Sequence, residues 1–214
     1  MIFKPRQETP AAIIARIEKQ FPMPPGELKR LEGRRWILNH VPKGGIGAEI
    51  GVFRGHFSDQ ICRIVQPSKL YLIDPWTKIG PTFGWGKEYT NFDTLTTEAA
   101  RTQAEAFVQQ HGTTECVLIE DLYPACAARI TEPLDFVYLD ASHKYATTLN
   151  ELRQLERQVK PGGIILGDDW APDPAAQHHG VFRAVQEFVS TSGWQIVAAG
   201  PAAQWALRRR PTYA

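Results

Sequence analysis

The hydrophobic and polar positions change their spacing several times along the chain, and each change marks a predicted element. Near the N-terminus, Ile13, Ile14 and Ile17 lie on one face of a short predicted helix, and a second helical pattern runs from Glu27 to His40. Further on, short apolar runs alternate with segments of helical period. Five of these runs are predicted strands, in the segments GIGAEIGV, KLYLIDPW, ECVLIED, LDFVYLDASH and PGGIILGDDW.

The segments that follow these strands complete the predicted order of elements. Phe57, Ile61 and Val65 share one helical face after the first strand, and the short segment YPACAARI predicts a helix after the third. The C-terminal segment WQIVAAGPAAQWALRR predicts two strands joined by a Gly-Pro loop. Alternation of strands and helices with continuously apolar strands is typical of a mostly parallel sheet covered on both faces. We therefore predict a doubly wound α/β fold with one antiparallel edge strand and additional N-terminal helices.

Composition excludes several classes of function. The formal net charge of +1 supplies no basic field, so binding to nucleic acid is not expected. No segment has the roughly 20 apolar residues needed to span a bilayer, and the N-terminus lacks an apolar signal core. Three cysteines without CxxC spacing predict reduced, mostly buried thiols. We expect a cytoplasmic protein with no membrane partner.

Acidic residues end all five of the first predicted strands. They are Glu49, Asp74, the pair Glu120 and Asp121, Asp140, and the pair Asp168 and Asp169. Because parallel strands place their carboxyl ends at one edge of the sheet, these side chains should meet there, where such folds bind ligands. Unrelated surface charge would not keep phase with the strands, so the acids predict a functional site.

Several residues at these strand ends could serve the structure instead of a ligand. The turn after the first strand contains Gly51 and Gly55 in GxxxG spacing, which differs from the GxGxxG of dinucleotide binders and could serve packing alone. Asp74 is placed to accept hydrogen bonds from ribose hydroxyls, but it also precedes a proline and could form a turn. Asp121 could be the N-cap of the YPACAARI helix.

The ordered set AEIGVFRGHFS, LYLIDPW, DFVYLDASHKY and VKPGGIILGDDW resembles class I S-adenosylmethionine-dependent methyltransferases. More narrowly, it resembles the small-molecule O-methyltransferase branch that includes macrocin-type enzymes. The resemblance implies a Rossmann-like sheet of seven strands. It covers about Ile46 to Arg208 and places the methyltransferase domain that binds S-adenosylmethionine at residues 45–214. The helices of residues 1–44 are not diagnostic of the family and could form a lid or a dimerisation segment, which leaves a homodimer open.

The same resemblance implies roles for individual residues. Glu49, Gly51 and Gly55 would line the methionine part of the cofactor, Asp74 would hold the ribose, and Asp121 would accept from the adenine amino group. Asp140 is included among the cofactor-binding residues. Trp76 could cover the adenine, although packing at the sheet edge is an equal alternative.

A metal site is implied by the acids that end the fourth and fifth strands. In metal-assisted members of the wider family these positions hold a divalent ion, and here they are Asp140, Asp168 and Asp169. Three carboxylates are hard oxygen ligands that suit Mg²⁺ or Mn²⁺. The alternative is that Asp168 ends the strand and Asp169 begins the next loop.

His143 is the predicted general base, and Asp140 is the second predicted catalytic residue. Histidine titrates near neutral pH, and His143 follows Asp140 by three residues. Catechol-type enzymes have lysine at that position, whereas here Lys144 is one residue further and should be solvated. His178 and His179 either face the substrate or lie exposed in their loop.

The predicted function is methyl transfer from S-adenosylmethionine to a hydroxyl group of a small molecule. The aromatic loop 79–92 could be a lid over a sugar or a flat acceptor, or a hydrophobic cluster of its own. The acceptor itself stays open among sugar, phenol, carboxylate and amine. An NAD-dependent oxidoreductase and a non-catalytic cofactor-binding or metal-binding module are the alternatives.

Overall fold

One seven-stranded sheet organises the molecule, and the computed structural model describes residues 8–211 of the chain. The strand order is β3-β2-β1-β4-β5-β7-β6. The strands are β1 Ile46–Ile50, β2 Lys69–Asp74, β3 Glu115–Glu120, β4 Leu134–Leu139, β5 Val159–Gly167, β6 Trp194–Ala199 and β7 Trp205–Arg209.

Strands β1 to β5 run parallel, and β7 runs antiparallel to both β5 and the edge strand β6. The predicted doubly wound, mostly parallel sheet with an antiparallel edge is therefore confirmed. In the parallel register, Glu49 of β1 lies beside Leu72 of β2 and Tyr138 of β4. This register brings the carboxyl ends of the central strands to one edge.

Helices cover both faces of the sheet, because successive strand residues alternate between two hydrophobic clusters. Leu70 and Leu72 belong to the cluster on one face, and Tyr71 and Ile73 belong to the cluster on the other. The helices are α1 Pro10–Gln20, α2 Glu27–Arg34, α3 His56–Ile64, α4 Thr97–Gln109, α5 Tyr145–Gln158 and α6 His179–Thr191.

Two predicted helices differ from the structure. The pattern from Glu27 to His40 divides into α2 and a 3₁₀ helix over Arg35–His40, whose tighter winding buries Ile37 and Leu38 completely. The segment YPACAARI forms turns with a short 3₁₀ segment at Ala127–Arg129 rather than an α-helix. A segment of eight residues gains few hydrogen bonds against the entropic cost of starting a helix.

The N-terminal segment packs into the same core as the sheet. Ile17 and Phe21 belong to the hydrophobic cluster that also contains Leu72 of β2. The guanidinium of Arg54, buried at the start of α3, donates to the Phe21 carbonyl at 2.7 Å and to the Gln103 side chain at 2.8 Å. Residues 8–44 are thus held to the domain by buried contacts in the shared core. Their role as a lid or a dimer contact stays a prediction.

No helix within residues 8–211 is long and apolar enough to cross a membrane. Cys62, Cys116 and Cys126 are free thiols, and Cys62 and Cys126 are buried. The thiols therefore match the expectation from their spacing.

The burial of Glu49 predicts that the free energy of unfolding depends on pH. It is 1% exposed, and burial raises the pKa of its carboxyl group from 4.5 to about 8, against the opposing effect of the contact with Ser58. Between these values the folded protein keeps a proton that the unfolded chain has released, so the free energy of unfolding should fall as pH rises, by at most about 1.4 kcal/mol per pH unit.

We expect Glu49→Gln to flatten this slope in urea titrations of the cofactor-free protein between pH 5 and 8. Glu88→Gln, at an exposed position, is the control and should keep the wild-type slope. Equal slopes in all three proteins would contradict burial of a protonated Glu49.

Candidate active site

A cleft of about 890 Å³ lies at the carboxyl ends of β1, β2, β4 and β5, the edge that the strand-end acids predicted. Its walls include α2 and part of the loop 79–92. The volume lies within the range of about 300–1,000 Å³ that is typical of ligand sites. The cleft is therefore the candidate active site.

The turn between β1 and α3 is organised by Asp74. Its Oδ2 accepts the backbone N–H groups of Val52 at 3.0 Å and Phe53 at 2.9 Å, and its Oδ1 accepts the N–H of Trp76 at 3.1 Å. Burial raises the pKa of this carboxyl group, and the three N–H donors act in the opposite direction. Asp74 lines the cleft, and each carboxylate oxygen can accept more than one hydrogen bond, so Oδ1 keeps capacity for a ligand.

Gly51 allows this turn to form. Its φ is +86°, and a Cβ there would lie 1.9 Å from the Asp140 carbonyl oxygen of the neighbouring strand. Both Gly51 and Glu49 line the cleft, and their contact with a cofactor stays a prediction.

Gly55 and Trp76 lie away from the cleft wall and differ from their predicted roles. A Cβ on Gly55 would meet Ala104 Cα at 2.5 Å, so this glycine allows α3 and α4 to pack closely. Trp76 is fully buried, and its indole N–H donates to the Phe53 carbonyl at 2.8 Å. A side chain with no exposed surface cannot cover an adenine, so Trp76 supports the turn from beneath.

Asp121 does line the cleft, but it also has partners within the protein. Its carboxylate pairs with Lys78 at 2.7 Å and accepts the N–H of Leu122 at 2.9 Å. These contacts lower its pKa, with the Lys78 hydrogen bond as the main cause. The alternative role as the N-cap of a following α-helix is wrong, because no α-helix forms there.

Arg34 of α2 is the residue that sequence reasoning missed. Its guanidinium is buried between the ends of β4 and β5, where it pairs with Asp140 at 2.9 Å and in closer contact with Asp168. Asp168 also accepts from the Gln204 amide and has Arg30 of α2 at 3.6 Å. The sequence of α2 gives no sign that Arg34 pairs with these acids, because even Asp140 lies 106 positions further along the chain.

The opposite charges decide the protonation of this group. Burial alone would lower the pKa of Arg34, but Asp140, Tyr138 and Asp168 raise it above its usual value. Burial raises the pKa of Asp168 to about 7 and also raises that of Asp140, while Arg34 lowers both. Arg34 therefore favours the charged form of both carboxylates, and burial opposes it.

Asp169 takes part in a different contact set. It adopts a φ of +65°, and its Oδ2 contacts Nδ1 of His143 and lies 2.8 Å from Nδ1 of His178. The contact with Asp169 raises the pKa of His143. Burial would raise the pKa of Asp169, but the contacts with His143 and His178 give it a net lowering.

The four basic residues near Asp169 differ in whether they line the cleft. His143 and His178 line the cleft, whereas His179 lies outside it with Nδ1 at 2.9 Å from the Ala171 carbonyl oxygen. Lys144 is exposed at the start of α5, as predicted. Of these four residues, His143 and His178 are therefore the two that are placed to reach a ligand.

The aromatic loop contributes directly to the cleft. Phe83 is buried and lies 5.0 Å from Phe53 between ring centres, while Trp85 is half exposed and touches the same ring. Tyr89 lines the cleft, and the Arg30 guanidinium lies 5.8 Å from its ring centre. The loop thus provides both a small cluster of its own and an aromatic wall.

Glu151 of α5 is a second site residue that the sequence did not reveal. It is buried, lines the cleft, and its Oε2 has no hydrogen-bond partner among the described residues. Burial raises the pKa of this carboxyl group to about 7. On the sequence it is one polar position of an amphipathic helix, which gave no reason to single it out.

Solved structures of low sequence identity share this fold. A protein from Corynebacterium glutamicum is 13% identical, with a TM-score of 0.61 over 94% of this chain and 91% of that one. The O-methyltransferase TomG from Streptomyces achromogenes, involved in tomaymycin synthesis and solved in complex with SAM, is 15% identical, with a TM-score of 0.55 over 99% and 93%. An rRNA methylase from Streptococcus thermophilus is 14% identical, with a TM-score of 0.53 over 83% and 94%.

The sequence itself is similar to a family of enzymes. No curated protein matches the chain. The family model described as a methyltransferase domain matches residues 48–170, which run from β1 through the acid pair after β5 and make up more than half of the chain. With this match and the fold together, the chain belongs to the methyltransferase domain family.

Proposed function

We propose that the chain transfers a methyl group from S-adenosylmethionine to a hydroxyl group of a small molecule. The observation that carries this proposal is the cleft itself, where the Asp74-organised turn faces the same space as the His143–Asp169 pair. One end can hold a nucleoside cofactor, and the other offers a base for an acceptor. TomG, with the same fold, is an O-methyltransferase solved with SAM.

The charge of the cleft suits this cofactor. The residues that line it include eight acidic side chains and three arginines; burial keeps Glu49 protonated at neutral pH, and the other acids still outnumber the arginines. A site with excess negative charge attracts cations, and the sulfonium of S-adenosylmethionine is one. Asp74 would accept from the ribose hydroxyls through its remaining capacity, and Asp121 and Glu151 are the carboxylates available to the adenine amino group.

The transfer needs little machinery beyond placement and a proton acceptor. When bound, S-adenosylmethionine supplies a methyl group attached to a positively charged sulfur. After transfer of the methyl group to the acceptor oxygen, that sulfur is the neutral thioether of S-adenosylhomocysteine. His143 would take the acceptor's hydroxyl proton at Nε2, for which the described structure has no hydrogen-bond partner, while Nδ1 is held by Asp169. Such a positioned base contributes roughly 10²–10⁴ to a rate.

A small acceptor fits the cleft better than RNA. Excess carboxylate in the walls would repel a phosphate backbone, whose binding depends on lysine and arginine contacts. The half-exposed Trp85 and the Tyr89 ring offer flat surfaces for a sugar or an aromatic acceptor. A macrocin-type sugar acceptor agrees with these surfaces, and a homodimer and a cytoplasmic location stay predictions.

Metal assistance through Asp140, Asp168 and Asp169 does not fit this arrangement. The three carboxylates do approach one another, within 4.8 Å. However, Arg34 already lies on Asp140 and Asp168, and the other Asp168 oxygen accepts from Gln204. Mg²⁺ requires several free oxygen ligands in octahedral geometry. We therefore derive no step through Mg²⁺ or Mn²⁺ at these residues, and the buried cation there is Arg34.

The family match favours methyl transfer over the oxidoreductase alternative. The deciding experiment is titration of S-adenosylhomocysteine and NADH into the protein, followed by assays of S-adenosylhomocysteine release with hydroxylated sugars, phenols and ribosomal RNA. Release with a small hydroxylated acceptor supports the proposal. Release with RNA alone contradicts it, and cofactor binding without any release supports the non-catalytic alternative.

The contribution of Asp74 to cofactor binding can be measured with a substitution that keeps its shape. Asp74→Asn removes the negative charge that accepts from ribose, and a hydrogen bond to a charged group contributes about 1.5–3 kcal/mol. We expect S-adenosylhomocysteine to bind roughly 10- to 100-fold more weakly by isothermal titration calorimetry. Asp173→Asn, an exposed acid beyond the cleft, should bind as the wild type does. Unchanged affinity in Asp74→Asn would remove Asp74 from the cofactor site.

The role of His143 as the base can be separated from cofactor binding. His143→Gln should lower kcat by roughly 10²-fold or more without weakening S-adenosylhomocysteine binding, because the imidazole acts on the acceptor and not on the cofactor. His179→Gln changes a nearby histidine outside the cleft and should leave kcat unchanged. If both variants keep wild-type turnover, His143 has no part in proton transfer.

The contribution of Arg34 to stability can be measured by removing its charge. Arg34→Met leaves Asp140 and Asp168 without their counter-charge, which typically costs about 3–5 kcal/mol of unfolding free energy. Urea denaturation should show this loss, and the exposed neighbour variant Arg35→Met should show almost none.

Wild-type protein treated with a chelator should give no Mg²⁺ signal that depends on Asp168. A signal lost in Asp168→Asn would mean that Mg²⁺ displaces Arg34.

A further inference from the structure

Three ligand atoms converge at the rim of the cleft beside the Arg34 pair. Nδ1 of His143, Nδ1 of His178 and Oδ2 of Asp169 form a closed triangle. The two nitrogens are 2.8 Å apart, and the His178 nitrogen is 2.8 Å from the carboxylate oxygen. The side chains come from the β4–α5 turn, the end of β5 and the start of α6, so the fold brings together positions that are distant in sequence.

Hydrogen bonds alone cannot satisfy this triangle. A ring nitrogen that carries a proton donates a hydrogen bond, and one without a proton accepts a hydrogen bond. If both Nδ1 atoms carry protons, both donate to Asp169 but their N–H groups face each other. If one lacks its proton, it accepts from the other ring but turns a lone pair toward the carboxylate. Each arrangement leaves one of the three contacts repulsive. A single cation bound by all three atoms would give each of them an attractive partner, with the atoms moving slightly further apart to reach metal–ligand distances of about 2.0–2.2 Å.

The donor set indicates which cation would bind. Two imidazoles and one carboxylate suit first-row transition ions such as Zn²⁺, Co²⁺ or Fe²⁺, while Mg²⁺ prefers oxygen ligands alone. Three protein ligands with the remaining position open to solvent or substrate are typical of catalytic rather than structural zinc sites. Here His143 and His178 are partly exposed, and all three residues line the cleft.

The geometry points to a binding site for a divalent transition-metal ion formed by His143, Asp169 and His178. This site is separate from the Asp140 and Asp168 carboxylates, whose counter-ion is Arg34. Its open position faces the cleft. With the ion on Nδ1, the His143 ring keeps its proton on Nε2, so its roles as metal ligand and as free base belong to different states of the protein.

Binding can be measured without methyl transfer. Full-length protein is treated with a chelator and titrated with Zn²⁺, Co²⁺ or Mg²⁺ alone, and Co²⁺ is also followed by visible absorption, which reports its coordination. We expect saturable 1:1 binding of Zn²⁺ and Co²⁺ and no competition by Mg²⁺. His143→Ala and His178→Ala should each weaken binding by at least about 10-fold, since even indirect metal partners contribute 10- to 100-fold.

Two control variants distinguish this site from its neighbours. His179→Ala changes the next histidine of the same loop, which contacts the Ala171 carbonyl instead, and should bind Zn²⁺ as the wild type does. Asp140→Asn changes the Arg34-paired carboxylate, which lies within 4.8 Å of Asp169 but is not a proposed ligand, and should weaken Zn²⁺ binding less than either histidine variant does. Circular dichroism of each variant confirms folding before titration.

Two results would overturn the proposal. One is wild-type protein that binds neither Zn²⁺ nor Co²⁺. The other is binding that survives in both His143→Ala and His178→Ala but is lost in Asp140→Asn. A separate titration with S-adenosylhomocysteine keeps the outcomes distinct, because the cofactor can bind when no metal does.

Discussion

The carboxyl edge of the sheet carries more negative charge than it could hold without a partner, and Arg34 supplies the missing positive charge. Asp140 and Asp168 end adjacent buried strands, where two uncompensated carboxylates would repel and take up protons. Arg34 reaches both from α2. The N-terminal segment is therefore part of the site as well as of the core, because its removal would leave these acids without a counter-ion.

This pairing also divides the acidic edge into parts with different chemistry. Asp74, beyond the reach of Arg34, organises the β1–α3 turn by accepting three backbone N–H groups and stays available to a ligand. Both oxygens of Asp168 already have partners, Gln204 on Oδ1 and Arg34 on Oδ2, and the charge of Arg34 opposes a metal ion there. Asp169, next to it in sequence, turns to His143 and His178. Adjacent carboxylates thus differ in role because their partners differ.

The sequence placed a residue correctly at the cleft where the chain's own backbone explains its position, and misplaced it where packing decides, while the cofactor roles of these residues stay predictions. Gly51 and Asp74 follow from the strand-turn pattern, since the turn needs a residue without Cβ and an acceptor for its N–H groups. Gly55 and Trp76 occupy the same motifs but face α4 and the underside of the turn. The helix that packs against a turn decides which side of the turn a residue faces. The residues of the motif do not indicate which helix that is.

The sequence by itself determined the sheet, its mostly parallel order and the edge at which a site forms, because hydrophobic period and strand-end acids are local properties. Tertiary structure alone decided which charges meet there. Arg34 and Asp140 are separated by 106 positions, and Glu151 is one polar position of an amphipathic helix until burial isolates its carboxyl group. Electrostatic partners are chosen by distance in space, and that distance exists only once the helices have packed.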